Sequence, residues 1–130
     1  MHILLTNDDG IYAEGIYALY QELKKIAKVS VIAPDSEKSS VGHGITLAHP
    51  IWFKKINRKG RFFGYAISGT PADCVKFATS VLLKRKPDMV VSGINQFKFP
   101  VSNILRLTWL STSAILRYSH PDRTHNSILF

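Results

Sequence analysis

A chain of 130 residues is long enough for one domain with a real core and too short for two of ordinary size. Its 45% hydrophobic and 20% charged content is that of a globular protein, with no apolar run near the ~18 residues of a membrane span and no basic, apolar leader. The net charge of +8 favours anionic partners, while a single cysteine, Cys74, excludes an internal disulfide and fits a reducing, cytoplasmic setting.

In chain order, residues 3–6 read as a short buried strand, followed by Asn7, Asp8, Asp9 and Gly10. Within 11–28 the apolar residues Ile16, Leu19, Leu23 and Ile26 recur at helical spacing opposite Glu22, Lys24 and Lys25. Residues 29–33 form a second strand, stopped by Pro34-Asp35, so the first unit is a right-handed parallel crossover. The polar loop SEKSSVGHG has no periodicity of its own, and such loops in compact domains are more often functional than idle. Residues 45–56 are extended in character, 57–60 make a turn, and 61–67 form another strand.

The next helix start is well marked. Thr70 suits the N-cap, Pro71 the first helical position, and Asp73 gives capping-box spacing. Val75, Ala78, Val81 and Leu82 supply its core face with Cys74 as a small core residue, and Pro87 ends it. On this reading Lys84, Arg85 and Lys86 close the helix and meet its dipole. Residues 88–91 form one more strand, leading into Ser92-Gly93-Ile94-Asn95. Beyond residue 95 the character changes: Ile104, Leu107, Leu110, Ala114 and Ile115 have the spacing of a poorly capped helix, before a polar end. The basic clusters accompany no helix-turn-helix, zinc-finger or aromatic RNA-binding signature, so they read as solvated faces, with neither a specific nucleic acid nor a membrane as partner.

The fold class expected from this order is α/β with a mostly parallel sheet. Ligands bind such sheets outside the carboxyl ends of the strands. Three strand ends carry small oxygen donors: Asn7-Asp8-Asp9, the Ser39-Ser40 loop, and Ser92 to Asn95. Adjacent carboxylates repel and cost stability unless a cation or solvent relieves them. Two carboxylates, a hydroxyl and an amide oxygen form a hard donor set suited to Mg2+ or Mn2+. Taken singly, each element also has a plainer reading: a turn for Asp8-Asp9 and Asn95, an ordinary loop for the serines, an exposed loop residue for His43.

TNDDG after the first strand, APD with its serine-rich loop and GHGITL, SGTPADCV, and VVSGIN together resemble the SurE family, the stationary-phase survival proteins, over residues 1–95. The resemblance implies a Rossmann-like three-layer α/β sandwich, usually dimeric or tetrameric. It further implies a phosphomonoesterase that hydrolyses nucleoside 5′- and 3′-monophosphates through a metal-activated water. Carried onto this sequence, the metal ligands are Asp8, Asp9, Ser39 and Asn95, with Asp8, Asp9 and Asn95 also counted as catalytic. Asn7, Ser40, Gly42, His43 and Thr70 fall on the substrate side.

Two departures stand out. Gly44 sits where the family more often has serine. After VSGIN the family continues with a glycine- and asparagine-rich loop, a YSGTV-type motif and a long further stretch, whereas QFKFPVSNILRL follows here. Residues 96–130 therefore read as a divergent tail, of truncated or frameshifted origin, attached to the N-terminal part of a SurE-like domain. One alternative is a catalytically inactive remnant that binds metal or nucleotide without turnover. Another is a two-component receiver domain, which needs an aspartate ending its third strand and a lysine ending its fifth; neither is convincingly placed.

Overall fold

The computed structural model describes residues 1–38 and 49–95, together with the backbone of 114–116 and 128–129. The strands are β1 (His2–Thr6), β2 (Lys28–Pro34), β3 (Phe53–Arg58), β4 (Arg61–Ile67), β5 (Met89–Ser92), β6 (Ala114–Leu116) and β7 (Ile128–Leu129), with helices α1 (Glu14–Leu23) and α2 (Pro71–Phe77). They form one sheet in the order β3-β4-β2-β1-β5-β6-β7. β4, β2, β1 and β5 are mutually parallel, and the antiparallel pairings flank them on both sides.

Side-chain alternation along the strands builds three layers. Ile3 and Leu5 of β1, Val31 and Ala33 of β2 and Val91 of β5 face α1, where Ile16 meets them. Leu4, Ile32, Ile67 and Val90 point the other way onto Cys74 and Ala78 of the second helical segment. Both faces of the central strands are thus dry, which is why β1 and β2 read as unbroken apolar runs.

α1 is shorter than its periodicity predicts. The chain leaves helical geometry after Leu23, the N–H groups of Ile26 and Ala27 turning back to the Leu23 carbonyl at 3.1 and 3.0 Å. Ile26 consequently falls out of phase with the core face and is 71% exposed. α2 begins as its sequence requires: the Thr70 hydroxyl accepts from the Asp73 N–H (3.2 Å), and the Asp73 carboxylate accepts from the Thr70 N–H (2.9 Å). Its end differs from the expectation. After Phe77 the coil widens into a π-helical turn, Ala78–Leu82, in which the Leu83 N–H reaches the Ala78 carbonyl at 2.9 Å. The Thr79 hydroxyl bonds back to the Val75 carbonyl here (2.9 Å), and the widened turn leaves Val81 62% exposed. The helical segment stops there, short of Pro87, so Lys84–Lys86 lie past its end and do not close its dipole.

The helix read across Ile104 to Ile115 is overturned at its carboxyl end. Ala114, Ile115 and Leu116 form β6, which pairs antiparallel with Ser92, Val91 and Val90. Pairing fills the hydrogen-bonding edge that β5 otherwise leaves open, and that gain outweighs a weak, uncapped helical pattern. Residues 104, 107 and 110 lie outside the described part.

Replacing Thr70 by alanine removes the cap and one donor to the buried Asp73 carboxylate. The expected loss is about 1–2 kcal/mol in urea unfolding, with Thr70→Ser recovering most of it. Cys74 is fully buried, and burial pushes its thiol up to about 12. A thiol-specific reagent at pH 8 should leave it unmodified in the native protein and label it on addition of denaturant.

Candidate functional site

β1 and β5 mark the place where the sheet reverses its winding. From β1 the chain passes through α1 to β2 on one side, and from β4 it crosses through α2 to β5 on the other. The two diverging connections leave a crevice at the carboxyl ends of the paired strands, which is where open α/β sheets bind ligands.

Asn7, the first residue past β1, is fully buried and shapes the turn. Its Oδ1 accepts from the Gly10 N–H and its Nδ2 donates to the Gly10 carbonyl, both at 3.1 Å. Gly10 has φ +96°, and a Cβ there would lie 3.1 Å from the Ser36 carbonyl carbon and 3.3 Å from the Pro34 carbonyl oxygen. No other residue fits both the dihedral and the space. The Ile11 N–H to the Pro34 carbonyl, 2.8 Å, fastens the turn to the end of β2. Asp8 and Asp9 ride on this braced turn, both half-buried.

Asn95 closes the site from the β5 side. Its Oδ1 accepts from the Asp8 N–H (3.1 Å), and its Nδ2 donates to Asp8 Oδ2 (2.9 Å). This two-point clasp joins residues 87 positions apart. The Gly93 N–H to the Thr6 carbonyl, 3.0 Å, extends the β1–β5 ladder just beneath it. The end of β2 joins the same corner, because the Lys38 N–H donates to the Asp8 carbonyl at 2.7 Å. Lys38 is the last described residue before Ser39, Ser40, Gly42, His43 and Gly44, which lie outside the described part. Thr70 follows β4 at the same edge, its hydroxyl taken up by the α2 cap.

Among the described residues no lysine or arginine forms an ion pair with Asp8, and Oδ1 of Asp8 accepts no hydrogen bond. A carboxylate fixed by neutral donors, with an oxygen left over and a second carboxylate next in the chain, fits a hard divalent cation. No three His, Cys, Asp or Glu side chains cluster among the described residues, so a cation would rely on the aspartates with neutral oxygen ligands.

Gly15 is a position next to this corner that the periodicity of α1 did not single out. A Cβ there would lie 2.5 Å from the carbonyl oxygen of Ile94, the neighbour of Asn95. α1 and the segment leaving β5 therefore meet backbone to backbone, and the height of the helix sets the position of Asn95. The signal was a glycine in a helical first turn, a costly residue where alanine would serve helix formation better.

These features define an α/β protein with an acidic, oxygen-lined corner at the switch point of a parallel sheet. The family model described as Survival protein SurE matches residues 3–104, past the residue at which the quoted motifs end. The chain belongs to the SurE family. It is 56% identical over 95 residues to the 5′-nucleotidase SurE of Syntrophobacter fumaroxidans, covering 73% of this chain and 38% of that protein. It is 49% identical over 104 residues to the 5′-nucleotidase SurE of Chlorobium chlorochromatii, covering 80% and 38% respectively. The crystal structure of the SurE protein from Aquifex aeolicus superposes with a TM-score of 0.65 at 44% identity, over 73% of this chain and 38% of that one. The chain thus spans about two fifths of the length of these relatives.

Gly15→Ala tests the backbone contact. Helix propensity alone favours alanine by about 1 kcal/mol, but the approach to a carbonyl oxygen forces a backbone shift costing about 1–3 kcal/mol. A fall in melting temperature is expected, where an exposed helical glycine would give a rise.

Proposed function

We propose that this chain carries the metal-binding core of a phosphomonoesterase acting on nucleoside 5′- and 3′-monophosphates, and works in the cytoplasm. The observation that carries the reading is the Asp8–Asn95 clasp, which holds a carboxylate and an amide oxygen together at the switch point of the sheet. The names of the relatives support the substrate class, and the all-oxygen donor set supports Mg2+ or Mn2+ over a softer metal.

In this reading Asp8, Asp9 and Asn95 hold the cation together with Ser39, which follows directly on Lys38. Asp8 would help hold the cation through its carboxylate, one oxygen of which is already taken by Asn95. Asn95 fixes the carboxylate's rotation and adds its own Oδ1, whose second lone pair remains available. Asn7 shapes the turn that presents both aspartates. Ser40, Gly42 and His43 lie on the phosphate side of the substrate, and Thr70 borders the same crevice from β4. When bound, the cation supplies Lewis-acid polarisation of the phosphoryl group and activates water for attack. The chain's residues keep the donors in place beforehand, so little reorganisation remains for the reaction itself.

Two readouts test this. Mn2+ at about 100 times its dissociation constant should stabilise the native chain by about 2.7 kcal/mol, visible as a rise in melting temperature that Asp8→Asn abolishes. Phosphate release from nucleoside monophosphates should require Mn2+ or Mg2+ and fall on the order of 100-fold in Asp8→Asn. A metal-dependent melting shift without phosphate release would identify a binding core that does not turn over. The absence of both would sink the proposal.

A further inference from the structure

α1 starts without help from its own side chains: the N-cap is Ala13, and no side-chain cap bond closes the first turn. The side chain that reaches this turn comes from β3. Arg58, at the end of that strand, donates from Nη1 to the Ala13 carbonyl at 3.2 Å and pairs through Nη2 with Glu14. Its guanidinium lies 4.2 Å from the Tyr17 ring centroid and 5.7 Å from that of Phe63. Glu14 is 78% exposed, so the ion pair alone adds little. Arg58 itself is 19% exposed, and its planar fork is fixed by the Tyr17 ring and the helix backbone together.

The hairpin gains nothing from an arginine at this position. Arg58 faces Arg61 directly across β3 and β4, a like-charge pairing that costs stability. The gain lies in α1, and the next residue of that helix is where it meets the acidic corner. Gly15 approaches the Ile94 carbonyl so closely that a Cβ would lie 2.5 Å from its oxygen, and Asn95 follows with its two bonds to Asp8. Ala13, Glu14 and Gly15 thus take Arg58 on one side and the backbone beside Asn95 on the other. Apolar burial of Ile16 draws the helix onto the sheet but is non-directional, and does not fix it along its axis. A bond aimed at the Ala13 carbonyl does.

We propose that Arg58 is a positioning residue for the Asp8–Asn95 corner: by holding the first turn of α1 to β3, it seats the helix on Ile94 and so sets where Asn95 meets Asp8. β4, β2 and β1 lie between β3 and β5 in the sheet, and α1 is the bridge across them. The effect on cation affinity rests on the metal reading of the corner given above; the placing of Asn95 does not.

The test therefore begins on the whole chain without metal. The side-chain amide resonance of Asn95, followed by 15N NMR, reports the clasp, and Asp8→Asn supplies the reference for a clasp that is altered. Arg58→Ala should move that resonance, and Arg58→Lys, which keeps the charge without the fork, should move it the same way by less. Phe53→Ala is the control for lost stability alone: its ring packs on Phe77 and Tyr65, on the face away from α1, and it should lower the melting temperature without moving the Asn95 signal. Mn2+ titration at a temperature where every variant is native then gives the second readout. Arg58→Ala and Gly15→Ala should each weaken binding several-fold, and the double variant by less than the product of the two, because both act through the same turn. An Asn95 resonance unmoved in Arg58→Ala, or moved as much in Phe53→Ala, would overturn the proposal, as would effects of Arg58→Ala and Gly15→Ala that simply multiply. A parent chain that binds no Mn2+ while Arg58→Ala still moves Asn95 would sink the metal reading and leave the positioning role standing.

Discussion

The parallel pairing of β1 with β5 is the constraint on which the rest of the described structure depends. The two strands are far apart in the chain, yet their register, Thr6 beside Ser92, decides whether Asp8 and Asn95 meet. It also decides which face of β1 receives α1 and which receives α2, because a slip of one residue would turn every side chain of the strand over. The clasp between Asp8 and Asn95 is the last rung of that pairing, made by side chains after the ladder has ended. Core and site are therefore one construction: the apolar register that buries Leu4 and Leu5 is also what aligns the polar residues beyond the strand ends.

Much of this was legible in the sequence because it rests on local rules. The apolar runs of β1 and β2, the capping box of Thr70 and Asp73, and the oxygen donors at strand ends are each written within a few consecutive residues. The meeting of Asp8 with Asn95 could be argued from general sheet topology, without knowing which strands are neighbours, while Ser39 and Ser40 lie outside the described residues. The early exit of α1, the widened turn after Phe77 and the pairing of β6 were not legible. Each is settled by competition between a weak local preference and a partner elsewhere: Ile26 has the right spacing but no helix left to hold it, and Ala114–Leu116 meets an open strand edge. The Gly15–Ile94 approach is likewise invisible to periodicity, because it is a contact of backbone with backbone.

The structure also separates two uses of charge. At the strand ends the negative groups are few and half-buried, and Asp8 is clasped by the neutral amide of Asn95. Around the hairpin, positive groups are numerous, exposed and largely unpaired, and their field is screened within about 10 Å at ordinary ionic strength. The first arrangement suits tight coordination of a small ion. The second suits rapid capture of a larger anion, strongly dependent on salt.

β3 ends the sheet among the described residues and carries exposed Phe53, Lys54 and Lys55, with exposed Trp52 just before it. An end strand with aromatic side chains and unused hydrogen-bonding groups is a template onto which another molecule could add a strand of its own. Two adjacent lysines at that edge work against such growth, since a like strand laid alongside would bring their charges together. The same residues that raise the net charge therefore also protect the folded chain from polymerising through its own sheet.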